Sequence, residues 1–371
     1  MKFTDSLQVN LDKRSYDILI GEGLLASAGE HIYAATGDGT CWIISDENVA
    51  PHYLDTVTRS LSEKDLKVAE IILPAGEEHK NFNTVEALVN AVLDGRPERN
   101  STLLALGGGV VGDITGFAAS QILRGINYIQ IPTTLLAQVD SSVGGKTGVN
   151  TKHGKNLAGT FYQPRLVLAD TTVLDTLPKR ELLAGYAEVV KYGLIRDSNF
   201  FDWLEQNGEA VIAGDREARK HAVKTSCAAK AAIVAEDEFE TGVRALLNFG
   251  HTFGHALEAE TGFGASLLHG EAVAIGMIMA LNLSVRMGLC PAENLYRATA
   301  HFMEIGLPVS VTNRKNQKWD ASKLIEHMAH DKKVKDGKIR FILIRAIGDA
   351  LVNHDANPLI VEEMLREAIT K

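Results

Sequence analysis

Two histidines four residues apart, His251 and His255, stand in the stretch LLNFGHTFGHALEAE, and on a helix that spacing puts both rings on one face. Glu258 follows near the same face. His269 comes fourteen residues after His255, in LLHGEAVAIG, and upstream AGYAEVVKYG sets Glu188 and Lys191 three apart on another helical face. Two imidazoles and a carboxylate, with one coordination position left open, suit a catalytic zinc-type ion. Spacing does not decide which of these groups are ligands, and a helical His pair flanked by carboxylates is also a common structural arrangement. HExxH is absent, which excludes the standard zinc-protease pattern.

A second feature is LLALGGGVVGD, Leu103 to Asp113, in which Gly107, Gly109 and Gly112 fit GxGxxG after an expected strand. Such a turn lets backbone N–H groups at a helix start approach a pyrophosphate, although glycine turns also serve packing. The acid expected about 20 residues further on is missing, since residues 129–134 carry none. Asp46 and Glu47, at the end of the expected strand CWIIS, are the better candidates for ribose hydroxyls. Glu77 and Lys80, in PAGEEHK, also follow an expected strand. The implied nucleotide fold therefore departs from the ordinary Rossmann order.

Residues 130–156, QIPTTLLAQVDSSVGGKTGVNTKHGKN, bring together Thr133, Thr134, Asp140, Lys146, Lys155 and Asn156 with four glycines. Apolar periodicity is poor there, and the segment reads as an irregular, donor-rich stretch suited to an anion. GGKTG does not meet the P-loop pattern, because Asp140 stands five residues before Gly145. A divalent cation lowers the cost of removing a hydroxyl proton, and a nicotinamide accepts hydride. A metal site beside a nucleotide site thus already points to oxidation of an alcohol.

These residues need elements to hold them. Short apolar runs at 16–20, 40–45, 68–73, 102–106, 128–131 and 166–169 alternate with helix-length stretches such as 83–94, the rhythm of a parallel α/β sheet. After Leu177-Pro178 the chain becomes rich in Ala, Leu, Glu and Lys. The expected organisation is an α/β nucleotide-binding domain over 1–178 and a mainly helical metal- and substrate-binding domain over 179–371. One late strand is expected at 338–344, with a Gly348-Asp349 turn after it. Residues 272–285 are apolar but short for a membrane span, and read as a buried helix.

The chain's 371 residues suffice for two domains, and its 45% hydrophobic and 23% charged composition is that of a globular protein. A net charge of −9 argues against nucleic-acid or anionic-membrane partners, while a local Lys/Arg cluster still allows a small anionic substrate. The three cysteines, Cys41, Cys227 and Cys290, lie far apart without CxxC. Together with a first stretch, MKFTDSLQVN, that has no apolar signal core, they suggest a reducing, cytoplasmic setting.

RGINYIQIPTTLLAQVDSSVGGKTGVNTKHGKNLAG, PRLVLADTTVLDTLPKRELLAGYAEVVKYGLI, LLNFGHTFGHALE and LLHGEAVAIGM closely resemble the signature blocks of the 3-dehydroquinate synthases, in order from about Asp46 to Gly348. The resemblance implies an N-terminal Rossmann-like domain and a helical C-terminal domain with the site in the cleft between them. It also implies a homodimer, NAD, and a divalent metal such as zinc or cobalt. The implied reaction takes 3-deoxy-D-arabino-heptulosonate 7-phosphate to 3-dehydroquinate and phosphate by transient oxidation, phosphate elimination, reduction and aldol closure. That step belongs to the shikimate route to aromatic amino acids.

By the same resemblance the metal ligands fall on Glu188, His251 and His269, leaving His255 as a substrate or water partner. The cofactor positions fall on Asp46, Glu77, Lys80, Gly108, Gly109, Asp113, Thr133, Thr134, Asp140, Lys155 and Thr176. The catalytic and substrate contacts fall on Lys146, Asn156, Lys191, Lys230, Arg244, Asn248 and His255. Arg124 is implied to reach the phosphate from the partner subunit. In HDKKVKDG, Lys332 is implied as a phosphate contact, with Lys333 its rival. The dense basic set matches a substrate bearing carboxylate and phosphate.

The chain departs from the family pattern at Ser120-Gln121 and at Thr160, none of them an implied chemical residue. Other readings are a sister sugar phosphate cyclase, such as a 2-epi-5-epi-valiolone or 2-deoxy-scyllo-inosose synthase, and a metal-dependent polyol dehydrogenase that releases NADH. The segment around Lys146 and Asn156 and the residues near Lys230 favour the dehydroquinate type. A neutral polyol would not need the basic set. A catalytically dead scaffold would have a broken constellation, and this one is intact.

Overall fold

The computed structural model describes residues 4–264, 266–311, 318–330, 334–335 and 338–370. Lys332 and Lys333 lie outside them. The chain divides into two compact units, residues 1–177 with 219–239, and residues 178–218 with 240–371. The helix carrying Lys230 thus clusters with the first unit, although its sequence falls in the stretch expected to form the second.

The first unit is built on a seven-stranded sheet. Its strands are β1 (Asp5–Val9), β2 (Tyr16–Gly21), β3 (Cys41–Asp46), β4 (Val68–Leu73), β5 (Thr102–Gly107), β6 (Asn127–Pro132) and β9 (Leu166–Asp170), in the order β1-β2-β9-β6-β5-β3-β4. Only β1 runs antiparallel to its neighbour. All six residues of β5 are buried, as expected of a strand covered on both faces. Successive side chains alternate between two cores. Trp42, Ile44, Leu103 and Ala105 pack with helices α3 (Phe82–Asp94) and α4 (Gly109–Gln121). Cys41, Ile43, Leu104 and Leu106 pack with α1 (Ala28–Thr36) and α2 (Ala50–Ser62).

Residues 130–156 are more regular than the sequence suggests. Lys146–Thr151 and Gly154–Phe161 form an antiparallel hairpin, β7 and β8. Thr147, Gly148 and Val149 are buried beneath α4, and three residues are too few to produce a readable period. Gly144 and Gly145, at φ +93° and +65°, make the turn that starts it. The two departures from the family pattern meet on this hairpin: Thr160 Oγ1 lies 3.0 Å from Thr147 Oγ1 and donates to Ser120 Oγ on α4 at 3.2 Å. One polar substitution therefore partners the other.

The second unit contains α5 (Lys179–Arg196), α6 (Ser198–Ala213), α8 (His251–Glu260), α9 (His269–Arg286), α10 (Ala292–Ile305), α11 (Ala321–His330) and α12 (Pro358–Ala368). The helix between α6 and α8 is α7 (Arg216–Glu236). The expected late strand pairs as a hairpin, Phe341–Ala346 against Asp349–Asn353. The apolar stretch 272–285 lies inside α9 and is mostly buried. No described helix is long and apolar enough to cross a membrane.

Candidate active site

Within the second unit, glycines set how closely three helices approach. A Cβ on Gly270 would stand 1.9 Å from Ala184 O on α5, and one on Gly276 would stand 2.1 Å from Gly250 O. Backbones therefore touch where larger side chains would hold the helices apart. The start of α9 is also pinned to α5 by Arg180, whose Nε and Nη2 donate to the two oxygens of Glu271 at 2.7 and 2.8 Å.

That packing brings Glu188 of α5 against the first residues of α8 and α9. Glu188 Oε1 lies 3.6 Å from His251 Nε2 and 3.7 Å from His269 Nε2, and the donor atoms of all three lie within 4.8 Å of one another. Three donors each about 2.1 Å from a tetrahedral ion lie about 3.4 Å apart, so the set fits a divalent cation. Glu188 is fully buried, and its oxygens have no hydrogen-bond partner among the described residues beyond the ion pair with Lys191. A buried carboxylate in that state keeps lone pairs with which to take a cation.

The tautomers follow from the acceptors. His251 Nδ1 donates to Phe249 O at 3.1 Å and His269 Nδ1 to Glu258 Oε2 at 3.0 Å, which leaves each Nε2 lone pair facing Glu188. His255 shares the His251 face as its spacing predicts, with rings 5.4 Å apart. The nitrogens that lie with the Glu188 carboxylate, however, belong to His251 and His269. Asn248 donates to Glu240 Oε1 at 2.7 Å, and Arg244, on the same short turn, is buried.

In the first unit the expected cofactor residues gather at the C-terminal ends of neighbouring strands. Asp46 ends β3, Gly107 ends β5 and leads into Gly108 and Gly109, and Thr133 and Thr134 follow β6. Asp46 Oδ1 accepts the N–H groups of Asn48 and Val49 at 2.8 and 3.0 Å. A Cβ on Gly108 would come within 3.2 Å of Thr134 Cγ2, and one on Gly109 within 3.1 Å of Ser141 Oγ. The buried Thr133 hydroxyl has no hydrogen-bond partner among the described residues. A bare glycine turn with an orphaned hydroxyl beside it fits a dinucleotide.

Lys80 connects this edge to the hairpin. Its buried ammonium donates to Asp113 Oδ2 at 2.5 Å and to Asn156 Oδ1 at 2.6 Å. Burial acts to lower its pKa, but the carboxylates of Asp113 and Glu77 outweigh that, and the lysine is held above its ordinary range. Burial raises the Asp113 carboxyl, with Lys80 opposing. Asn150, which the sequence reading passed over, donates to Glu77 Oε1 at 2.8 Å and accepts the Asn156 N–H at 3.0 Å. Lys155 Nζ lies 3.9 Å from Glu77. Asp140 receives Lys230 Nζ at 2.7 Å, and Thr176 shares a 2.5 Å hydrogen bond with the Tyr53 hydroxyl.

Lys146 is exposed at the start of β7. Arg124 is exposed on a turn where Leu123, Arg124 and Gly125 all have positive φ, at +49°, +65° and +119°. Two consecutive non-glycine residues in that region are strained, and such strain concentrates at functional positions.

Residues 70–184 match the family described as 3-dehydroquinate synthase N-terminal, and residues 185–334 match its C-terminal counterpart. A 3-dehydroquinate synthase of Rhodospirillum rubrum is 58% identical over 98% of this chain and 94% of its own. The chain belongs to the 3-dehydroquinate synthase family. Solved structures of sister cyclases share the family fold at lower identity. A 2-deoxy-scyllo-inosose synthase complexed with carbaglucose-6-phosphate, NAD+ and Co2+ is 28% identical with a TM-score of 0.89, covering 98% of this chain and 100% of its own. A 2-epi-5-epi-valiolone synthase from Streptomyces hygroscopicus with NAD+ and Zn2+ bound is 31% identical with a TM-score of 0.87, covering 97% and 98%. Identity to the dehydroquinate synthase is thus about twice that to either sister.

Proposed function

We propose that this chain converts 3-deoxy-D-arabino-heptulosonate 7-phosphate into 3-dehydroquinate and phosphate, with NAD and a divalent metal, zinc or cobalt, as resident cofactors. The observation that carries the reading is 58% identity to a 3-dehydroquinate synthase over 98% of the chain, supported by the Glu188, His251 and His269 cluster. In this reading those three residues hold the ion, and Asp46, Gly108, Gly109, Thr133 and the Lys80–Asp113 pair line the NAD site. When bound, the metal supplies Lewis acidity to a substrate hydroxyl and NAD takes up and returns a hydride, so neither is consumed.

The chain's own groups bind and orient. His255 exchanges a proton with a substrate hydroxyl or water in this reading, which its position beside His251 supports. Lys146, Lys191, Lys230, Arg244, Asn248 and Asn156 receive the carboxylate and hydroxyls. Arg124 and Lys332 receive the phosphate, Arg124 from the partner of a homodimer. The N-terminal unit carries NAD and the helical unit the metal. The three buried, unbridged cysteines support a reducing, cytoplasmic setting.

The test is phosphate release from the heptulosonate phosphate by purified protein with catalytic NAD, before and after chelation. Metal-dependent release without net NADH, with dehydroquinate as product, is the expected result. Inertness with NAD and added zinc or cobalt would overturn the reading, and sedoheptulose 7-phosphate and glucose 6-phosphate would then be tried to identify a sister cyclase.

A further inference from the structure

Among the described residues a second group of metal-type donors lies next to the first: His255, Glu258 and His269 also hold donor atoms within 4.8 Å of one another. The two groups share His269, and its two ring nitrogens face different carboxylates. Nε2 is directed to Glu188 and Nδ1 to Glu258. A nitrogen that donates its proton to a carboxylate has no lone pair left for an ion.

The three residues of the first group are not equally held by packing. The side chains of Glu188 and His251 are 0% and 11% exposed, whereas His269 is 34% exposed. Burial fixes the first two, but the His269 ring has an open side and needs a partner to fix its rotation and tautomer. Glu258 provides one: its own side chain is 1% exposed, and Oε2 takes Nδ1–H at 3.0 Å. The Nδ1 of His251 meets a neutral carbonyl, Phe249 O, in the same role. An ionised acceptor makes the stronger bond and the more basic imidazole.

We infer that Glu258 is a positioning residue that fixes His269 as the Nδ1–H tautomer and raises the affinity of its Nε2 for the ion. Helix α8 thereby supplies one of the three ligands, His251, and holds a second, His269, which lies on α9. The inference rests on the metal reading given above.

The test is titration of the chelator-stripped full chain with Co2+ alone, following affinity, stoichiometry and the Co2+ absorption bands, with the apo melting temperature as the control for folding. Wild type is expected to take one ion per chain and His269→Ala none. Glu258→Gln, which keeps shape and an acceptor oxygen but loses the charge, is expected to bind about 10- to 100-fold more weakly, with altered bands and an unchanged apo melt. Unchanged affinity and bands in Glu258→Gln overturn the inference. So does a wild-type stoichiometry of two ions with one lost in Glu258→Gln, which would make Glu258 a ligand. If Glu258→Gln does not fold, Glu258→Asp decides: its withdrawn carboxylate is expected to weaken Co2+ binding, and undiminished affinity overturns the inference. Because no substrate is present, inertness toward the heptulosonate phosphate would overturn the proposed reaction and leave this result standing, whereas full Co2+ binding by His269→Ala would remove the metal reading itself.

Discussion

Gly270→Ala tests whether backbone contact between α5 and α9 builds the metal cluster. The added Cβ would stand 1.9 Å from Ala184 O, and real Cβ contacts essentially never fall below 3.0 Å, so α9 must retreat by about 1.1 Å. His269, the preceding residue, moves with it, while Glu188 stays on α5. Metal bonds tolerate about 0.2 Å, so a shift several times larger distorts the approach of His269 to Glu188 without deleting the ligand. The expected result is a Co2+ affinity lower by about 100-fold, the upper end of what a lost supporting contact costs. Overpacking should also destabilise by about 1–3 kcal/mol, a fall in melting temperature of roughly 2–4 °C per kcal/mol. Helix propensity alone predicts the opposite sign, since Ala is favoured over Gly in a helix by about 1 kcal/mol. Gly254→Ala is the control, because its Cβ would meet Ala272 O at 3.1 Å and needs only a few tenths of an ångström. Calorimetric titration and thermal melts of both variants decide the matter. A Gly270→Ala protein with wild-type affinity and an equal or higher melting temperature would refute the reasoning.

Lys146→Ala is expected to raise KM for the heptulosonate phosphate far more than it weakens NAD, measured by steady-state kinetics and NAD titration; equal losses would move Lys146 to the cofactor. Arg124→Ala, mixed with a His269→Ala protein, is expected to recover activity above the parental mixtures in hybrid dimers, and no recovery would place Arg124 in its own subunit's site. His301 is buried against Tyr186, whose hydroxyl lies 3.1 Å from Nε2, and burial pushes its pKa down to about 4, with Glu205 opposing. The unfolded histidine takes a proton near its ordinary 6.5 while the folded one does not. Its contribution is therefore complete above about pH 6.5 and is lost as the pH falls toward 4, at about 1.4 kcal/mol per unit. His301→Gln should flatten the loss of denaturant stability across that window, and an unchanged slope would refute the assignment.

The sequence by itself determined the layers. Runs such as TLLALG are apolar at every position because both faces of β5 are covered, and that pattern is written in consecutive residues. The Ala/Leu/Glu/Lys composition after Pro178 likewise announced helices, and the four-residue spacing placed His255 on the His251 face. The family blocks named Glu188, His251 and His269, whereas spacing alone left His255 and Glu258 as equal candidates. Which nitrogens face Glu188 depends on how α5, α8 and α9 meet, and that is a matter of tertiary structure. That meeting is set by Gly270 and Gly276 touching Ala184 O and Gly250 O, contacts between distant residues that leave no period in the chain. The same holds for the β7–β8 hairpin, held by three buried residues under α4, and for Lys80, whose partners Asp113 and Asn156 come from a helix and a strand far along the sequence. Local pattern fixes an element and its buried face. The distances that make a site come from close backbone approach and buried charge pairing, which exist only once the elements have packed.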